Sequence, residues 1–234
     1  GEAFRLAEAL HDTLWAGWRA VPFAVLLIDG EREVLVRHPA PTPDFALADA
    51  FDPPLGGPVY VRPRQHAPTL PATFPAVGGV PTVVVGTPEA TGLPSTEWVL
   101  TLLHEHLHQL QMGAPGYVAA VDALDLSGGD TSGQWMLDYA FPYADPAVGA
   151  RVAALRDALL DALDPDAQAG WAAVAAARSA LDDTLDPADA RYLAFQLWQE
   201  GVGRHTEVRA AALAPSLGTP VPAYRALADA VPYA

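Results

Sequence analysis

One segment constrains this chain of 234 residues more than any other, and it runs from Ser95 to Gln111. Its apolar residues recur at helical spacing, and it contains the motif H-E-x-x-H as His104, Glu105 and His108. Residues four apart lie on one face of an α-helix, so the two histidines are placed to bind one metal ion. Glu105 is placed to take a proton from a water on that metal. The segment therefore predicts a helix over residues 95–112 and a site for zinc-dependent hydrolysis.

The two faces of this predicted helix differ in chemistry. At about 100° per residue, the apolar side chains fall on one broad arc: Val99, Leu100, Leu102, Leu103, Leu107 and Leu110. The opposite arc carries the polar ones: Glu97, Thr101, His104, Glu105, His108 and Gln111. His106 falls on the apolar side, so we expect a packed, hydrogen-bonded histidine there and not a ligand. The alternative is a solvated polar face that carries its histidines by chance.

Two histidines leave a catalytic zinc site incomplete, because such sites usually take three protein ligands and keep one position open. The third ligand need not be close in sequence. Helical carboxylates are candidates, and so are the other histidines: His11, His38, His66 and His205. The strongest candidate lies in Leu197-Trp-Gln-Glu-Gly-Val-Gly-Arg-His-Thr-Glu207, which contains Glu200.

The H-E-x-x-H motif together with the later Trp-Gln-Glu-Gly segment resembles the gluzincin metallopeptidases, in particular their aminopeptidase branch. The resemblance implies a zincin-like fold, a peptidase activity, and zinc held by His104, His108 and Glu200. It implies that Glu105 is the general base. It also implies that Glu207, which matches the trailing glutamate of the family, contacts a ligand residue without binding the metal itself. The resemblance covers two short segments. Because 92 positions separate His108 from Glu200, it also implies a helical insertion between them.

The chain departs from that family in the features that bind substrate. The G-x-M-E-N segment that grips a free amino terminus is absent from the sequence, so aminopeptidase specificity is not implied. Thr82–Thr87, just before the predicted helix, is a candidate for the edge strand along which gluzincins align an extended peptide. The family's transition-state-stabilising tyrosine has five candidates, of which the last follows Glu200 at a plausible distance: Tyr117, Tyr139, Tyr143, Tyr192 and Tyr224.

Helix geometry is compatible with a polar seam around Glu200. One stripe of the predicted helix carries four long polar residues: Gln196, Glu200, Arg204 and Glu207. His205 lies about 140° from Glu200, which weakens it as a ligand or as an oxyanion donor. Gly201 and Gly203 lower the stability of a helix, and we expect them to let this helix approach the histidine helix closely.

The pattern of apolar, Pro and Gly residues along the chain predicts an α+β fold, with a small N-terminal mixed β-sheet followed by a mainly helical C-terminal half. Residues 1–94 hold an amphipathic helix over 2–19 and four apolar runs that predict strands: 23–28, 33–37, 59–62 and 82–85. Asp29-Gly30 predicts a hairpin, and the Pro- and Gly-rich residues 39–81 predict loops with edge or interrupted strands. Residues 95–234 predict further helices: 116–125, 146–163, 166–183, 187–213 and 220–231. We expect the two regions to form one catalytic unit.

The amino-acid composition limits the classes of binding partner that this chain suits. The net charge is −15, which argues against nucleic acid or an anionic membrane surface, because both need basic patches. No apolar run reaches the length of a membrane span. The absence of cysteine excludes disulfides and thiolate ligands, and it leaves both a cytoplasmic location and export after signal removal open.

The sequence therefore favours a zinc-dependent metallopeptidase that acts on a peptide or protein substrate. Two alternatives stay open at this point. One is a catalytically degenerate module with the same fold, which binds metal or a partner without turnover. The other is a metal-free helical interaction protein.

Overall fold

The computed structural model describes residues 1–130, 133–164, 170–231 and 233. The fold is α+β, and a six-stranded mixed sheet is followed by a mainly helical C-terminal half, as predicted. The chain forms two compact units, of which the first comprises Gly1–Tyr117 with Gln199–Ala234 and the second Val118–Trp198. The sequence pattern suggested a boundary between two subdomains after residue 94, and this boundary stays a prediction.

The first unit is built on the sheet. Its strands are β1 Val25–Asp29, β2 Arg32–Val36, β3 Ala46–Asp52, β4 Gly57–Pro63, β5 Pro71–Val77 and β6 Val80–Gly86. Their order is β3-β4-β2-β1-β6-β5; β1 and β6 are parallel, and the other neighbours are antiparallel. Asp29 pairs with Arg32 around a two-residue turn in which Gly30 has a φ of 60°. This confirms the predicted hairpin, because such turns need a residue that accepts positive φ.

The two strands at the edges of the sheet lie in the Pro- and Gly-rich stretch. β3 is exposed along nearly its whole length and has register shifts, and β5 contains Pro71 and Pro75. Proline is tolerated there because an outward-facing edge N–H takes no part in the ladder. β6 pairs with both β1 and β5, so the prediction that Thr82–Thr87 forms the edge strand is wrong. The edge next to β6 is β5, whose prolines hide the strand pattern.

Two helices cover one face of the sheet. α1 (Glu2–Leu14) and α3 (Ser95–Met112) pack with the inward residues of β1, β2 and β6 in one hydrophobic core. α3 has the predicted bounds. α1 is shorter than the predicted 2–19, because Trp15 is extended and Gly17 adopts a φ of 81°. The short α2 (Pro88–Thr91) precedes α3, and α9 (Pro222–Arg225) occupies a small part of the predicted 220–231.

The second unit is helical. Its elements are α4 Tyr117–Asp122, which starts at the boundary, α5 Trp135–Asp138, α6 Pro146–Leu163, α7 Trp171–Asp182 and the first part of α8 Pro187–Leu213. α6 and α8 match their predicted bounds, whereas residues 166–169 of the predicted 166–183 lie outside the described residues. The core is rich in aromatic residues: Trp135, Phe141, Tyr192 and Phe195. Within the described ranges, no helix is both long and apolar enough to cross a membrane.

A buried ion pair crosses the sheet face that lies opposite the two helices. Glu33 on β2 faces Arg62 on β4, with Nε and Oε2 2.7 Å apart and the Glu33 side chain 0% exposed. The other carboxylate oxygen accepts hydrogen bonds from the main chain of Gln65 and from His66. Burial alone would raise the pKa of Glu33, but these hydrogen bonds more than offset it, and the pKa lies below its ordinary value.

Glu33→Gln should lower the free energy of unfolding by about 2 kcal/mol at neutral pH, because it removes the buried charged partner of Arg62 and leaves the guanidinium only the half-exposed carboxylate of Asp44, which lies 2.8 Å from its Nη1. The folded-state pKa of Glu33 is lowered. Its contribution is therefore fully present above the ordinary glutamate pKa and is lost as the pH falls below about 4. Urea unfolding across this pH range should show the gap between wild type and variant closing on acidification.

Glu31→Gln is the matched control, because Glu31 pairs with Arg64 at the surface and its side chain is 88% exposed. Its effect should stay within about 0.5 kcal/mol. An equal effect of the two substitutions, or a gap that is independent of pH, would contradict the buried pair as a source of stability.

Candidate metal centre

Helix α3 and the part of α8 that belongs to the first unit bring three predicted ligands together. His104 and His108 lie one turn apart on α3, and Glu200 lies on α8; one ligand atom from each lies within 4.8 Å of the others. The two Nε2 atoms are 2.9 Å apart, and the Glu200 oxygens lie 3.2 Å from His104 Nε2 and 3.6 Å from His108 Nε2. Ligands of a tetrahedral zinc ion, bound at about 2.0 Å, lie about 3.3 Å apart. The group is therefore able to hold a metal ion of this size.

The far side of each imidazole is fixed by an acceptor. His104 Nδ1 lies 2.8 Å from Glu207 Oε1, and His108 Nδ1 lies 2.7 Å from Gln111 Oε1. A carboxylate can only accept, and the Gln111 amide nitrogen is directed to the carbonyl of Gln199, so both Nδ1 atoms donate. With Nδ1 held as the donor, a ring that gives up its Nε2 proton presents the Nε2 lone pair to the other side, which is the form that binds a metal.

Carboxylates outnumber cationic side chains at this centre. Glu105, Glu200 and Glu207 surround the two histidines, and Arg204 pairs with Glu207. Burial alone would lower the pKa of His104, but hydrogen bonds to the carboxylates of Glu200 and Glu207 and the charge of Glu105 raise it to about 10. Burial likewise opposes ionisation of Glu200, yet its hydrogen bonds to the histidines hold its pKa well below the usual range. The excess of negative charge favours a bound cation.

Glu105 is the most buried carboxylate of the centre, with 7% of its surface exposed. Burial raises the pKa of Glu105, and the charges of His108 and His104 act in the opposite direction. Its main-chain carbonyl accepts a 2.9 Å hydrogen bond from Thr73 Oγ1 on β5. The predicted base therefore lies beside the edge strand of the sheet.

Gly203 allows α8 to approach α3 closely, as expected. A Cβ atom at this position would lie 2.6 Å from Cε1 and Nε2 of His104. The expectation was wrong for Gly201, because apart from its chain neighbours and the backbone of its own helix no described residue would lie within 4 Å of a Cβ there. The two glycines share a helix but differ in what surrounds them.

His106 is a packed core histidine, as predicted. It is 0% exposed, and its ring stacks on Phe23 with centroids 3.9 Å apart. Its Nδ1 lies 2.8 Å from Gln109 Oε1, and its Nε2 lies 3.1 Å from Nε2 of His11. Burial lowers the pKa of His106 to about 3, so the ring is neutral. His11 is thus held in this core pair and not beside Glu200.

The remaining histidines lie among other partners. His38 Nε2 bonds the carbonyl of Val77 at 3.2 Å, and His66 Nδ1 bonds Glu33 at 2.8 Å. His205 is exposed and packs edge-on against the ring of Trp15.

The structure separates the tyrosine candidates. The Tyr224 hydroxyl lies 2.6 Å from Thr96 Oγ1 at the start of α3, about 12 Å along the helix axis from His104. Tyr117 is closer to the centre, because its hydroxyl donates to Gln199 Oε1 at 2.9 Å. Burial and the charge of Glu200 raise the pKa of Tyr117 to about 12, so the phenol stays protonated. The other three belong to the second unit: Tyr139, Tyr143 and Tyr192.

Sequence reasoning missed the polar residues that support the centre, namely Gln111, Gln199 and Thr73. Gln111 had a signal, because a side chain three residues after His108 lies on the same helix face. Thr73 and Gln199 gave none. Comparison with protein-family models, with curated proteins and with solved structures finds no match to this chain.

Gly203→Ala should disturb the centre, because its new Cβ would collide with the His104 ring, whereas Gly201→Ala adds a methyl group in open space. We expect Gly201→Ala to raise the free energy of unfolding by up to about 1 kcal/mol through helix propensity. Gly203→Ala should lower it despite the same propensity gain. Thermal unfolding of both variants checks this, and equal stabilisation by both would refute the close approach.

Proposed function

We propose that this protein is a zinc-dependent metallohydrolase of zincin-like type, with His104, His108 and Glu200 as the ligands. The observation that carries the proposal is the convergence of these three side chains, with both Nδ1 atoms already engaged by acceptors. Support from behind the ligands is typical of sites that are built for metal. Two imidazoles and a carboxylate are also the protein ligands of several hydrolytic zinc sites.

The position of Glu105 favours hydrolysis over other metal chemistry. Two histidines and one carboxylate also bind iron(II) in oxygenases, but a buried carboxylate next to the first ligand suits a general base. Zinc held here would supply a Lewis acid that lowers the pKa of water towards neutrality. Glu105, whose basicity is raised by burial, would accept the proton from that water and return it to the leaving amine.

The edge strand β5 supports a peptide substrate, together with the resemblance to gluzincins. Gly86 donates to the carbonyl of Leu70, so alternate residues face β6, and Pro71 and Thr73 face the free edge. An extended peptide can pair with such an edge. Pro71 and Pro75 have no N–H, so pairing would centre on Thr73, which also contacts Glu105.

A catalytically degenerate module with the same metal site is the second candidate. The location of Tyr224 at the start of α3 favours it, because the family's stabilising tyrosine then has no counterpart at that sequence position. Activity in the wild-type protein separates the two candidates.

Glu105→Gln should lower cleavage of a peptide library by about 10²–10⁴-fold, because it removes the general base. It should leave stoichiometric zinc in place, since Glu105 is not among the proposed ligands. Glu97→Gln, an exposed change on the same helix, is the matched control and should retain activity. Zinc in wild type without cleavage of any peptide would instead support the degenerate module.

Glu200→Ala should weaken zinc binding, because it leaves two ligands in a site that needs three. Removal of zinc by a chelator should lower the melting temperature of the wild-type protein, since metal that binds only the folded state stabilises it. The variant should show a smaller shift. Metal analysis and thermal unfolding with and without chelator measure both, and unchanged zinc affinity in Glu200→Ala would reject the ligand assignment.

A further inference from the structure

Gln111 contacts one proposed zinc ligand, His108, and the main chain next to another, Glu200. It is 7% exposed, and its Oε1 accepts the 2.7 Å hydrogen bond from His108 Nδ1. Its Nε2 donates to the main-chain carbonyl of Gln199 at 3.4 Å. Gln199 immediately precedes Glu200, so one side chain reaches both the second histidine and the backbone that carries the carboxylate.

The amide group is suited to this position because it both accepts and donates. The acceptor keeps the proton of His108 on Nδ1 and so leaves the Nε2 lone pair for a metal. The donor gives a hydrogen bond to the carbonyl of Gln199 in addition to the helix's own, and the side chain of Gln199 is held by the hydroxyl of Tyr117. A carboxylate at residue 111 would keep the first function and lose the second.

The support behind the two histidines is therefore unequal. His104 is backed by the carboxylate of Glu207, which is itself paired with Arg204, whereas His108 is backed by a neutral amide. A second carboxylate would add to a centre that already contains three acidic side chains. The neutral acceptor orients His108 without adding charge.

We propose that Gln111 is a positioning residue for the zinc site: it fixes the tautomer and orientation of His108 and ties α3 to the backbone next to Glu200. The proposal rests on the proposed function. On this proposal, removal of the Gln111 amide changes the free energy of zinc binding more than it changes the free energy of unfolding of the metal-free protein.

The chain contains a matched control on the same helix. Gln109 stands three residues after His106, as Gln111 does after His108, and its Oε1 accepts from Nδ1 at 2.8 Å. Its amide nitrogen donates to the carbonyls of Ala24 and Pro81. Gln109 therefore repeats the local geometry on a histidine that belongs to the core.

The test is the dissociation constant of zinc, measured by chelator competition, together with thermal unfolding in excess chelator. Gln111→Met keeps the length of the side chain and removes both hydrogen bonds, and it should weaken zinc binding about 10–100-fold. Gln111→Glu restores the acceptor and should recover part of that loss. Gln109→Met should lower the melting temperature of the metal-free protein and change zinc affinity less than Gln111→Met does.

Wild-type affinity in Gln111→Met, or no recovery in Gln111→Glu, would overturn the role of Gln111 while the proposed zinc site stands. Equal losses of zinc affinity in Gln109→Met and Gln111→Met would overturn it too, because the effect would then be a general loss of packing. Should Gln111→Met fail to fold, the zinc affinity of Gln111→Glu decides. A zinc dissociation constant at least tenfold above that of wild type would contradict the proposal that the acceptor at residue 111 orients His108. A wild-type protein that binds no zinc overturns this inference and the proposed function together.

Discussion

At Gly203 the backbone of α8 comes so close to α3 that a Cβ atom would lie 2.6 Å from the His104 ring. The other features of the centre depend on this approach. Glu200 and Glu207 lie about one turn to either side of Gly203, so they project towards the same histidine helix. One reaches the Nε2 side of His104 and the other its Nδ1 side. A small residue at one position thus allows a single helix to supply both the proposed third ligand and the group that orients the proposed first.

α3 is polar on two sides, and this explains much of its sequence. One side carries the candidate metal centre, and the other carries His106 and Gln109, which bond to His11, Ala24 and Pro81. Buried polar groups are costly unless they are hydrogen-bonded. Among the described residues, most of these groups have partners, while His11 Nδ1 is buried without one. This atom carries a lone pair when Nε2 of His11 donates to His106, so no proton is left unsatisfied.

The parts of the structure that local patterns control could be predicted from the sequence. The bounds of α3, the β1–β2 hairpin and the common side of α8 on which Glu200 and Glu207 lie follow from helical periodicity and turn chemistry, and Glu200 follows from its motif; Gln196 of the predicted stripe instead bonds the carbonyl of Met136. The edge strand could not be predicted, because Pro71 and Pro75 break the alternation that identifies β5. The position of Tyr224 was out of reach for a different reason: it depends on how the C-terminal segment returns to Thr96, which is a long-range contact. The role of Gln111 depends on local and on long-range structure together. Helix spacing places it near His108, but only the tertiary fold brings Gln199 to its amide.

The central claim is that two imidazoles and one carboxylate of this chain hold a zinc ion. Zinc K-edge X-ray absorption of the protein loaded with an equimolar amount of zinc measures that set of ligands directly. The account predicts a first shell of nitrogen and oxygen at about 2.0–2.1 Å, with the outer scattering of two imidazole rings. A first shell with fewer than two imidazoles, or zinc that stays in its fully hydrated form, would contradict it.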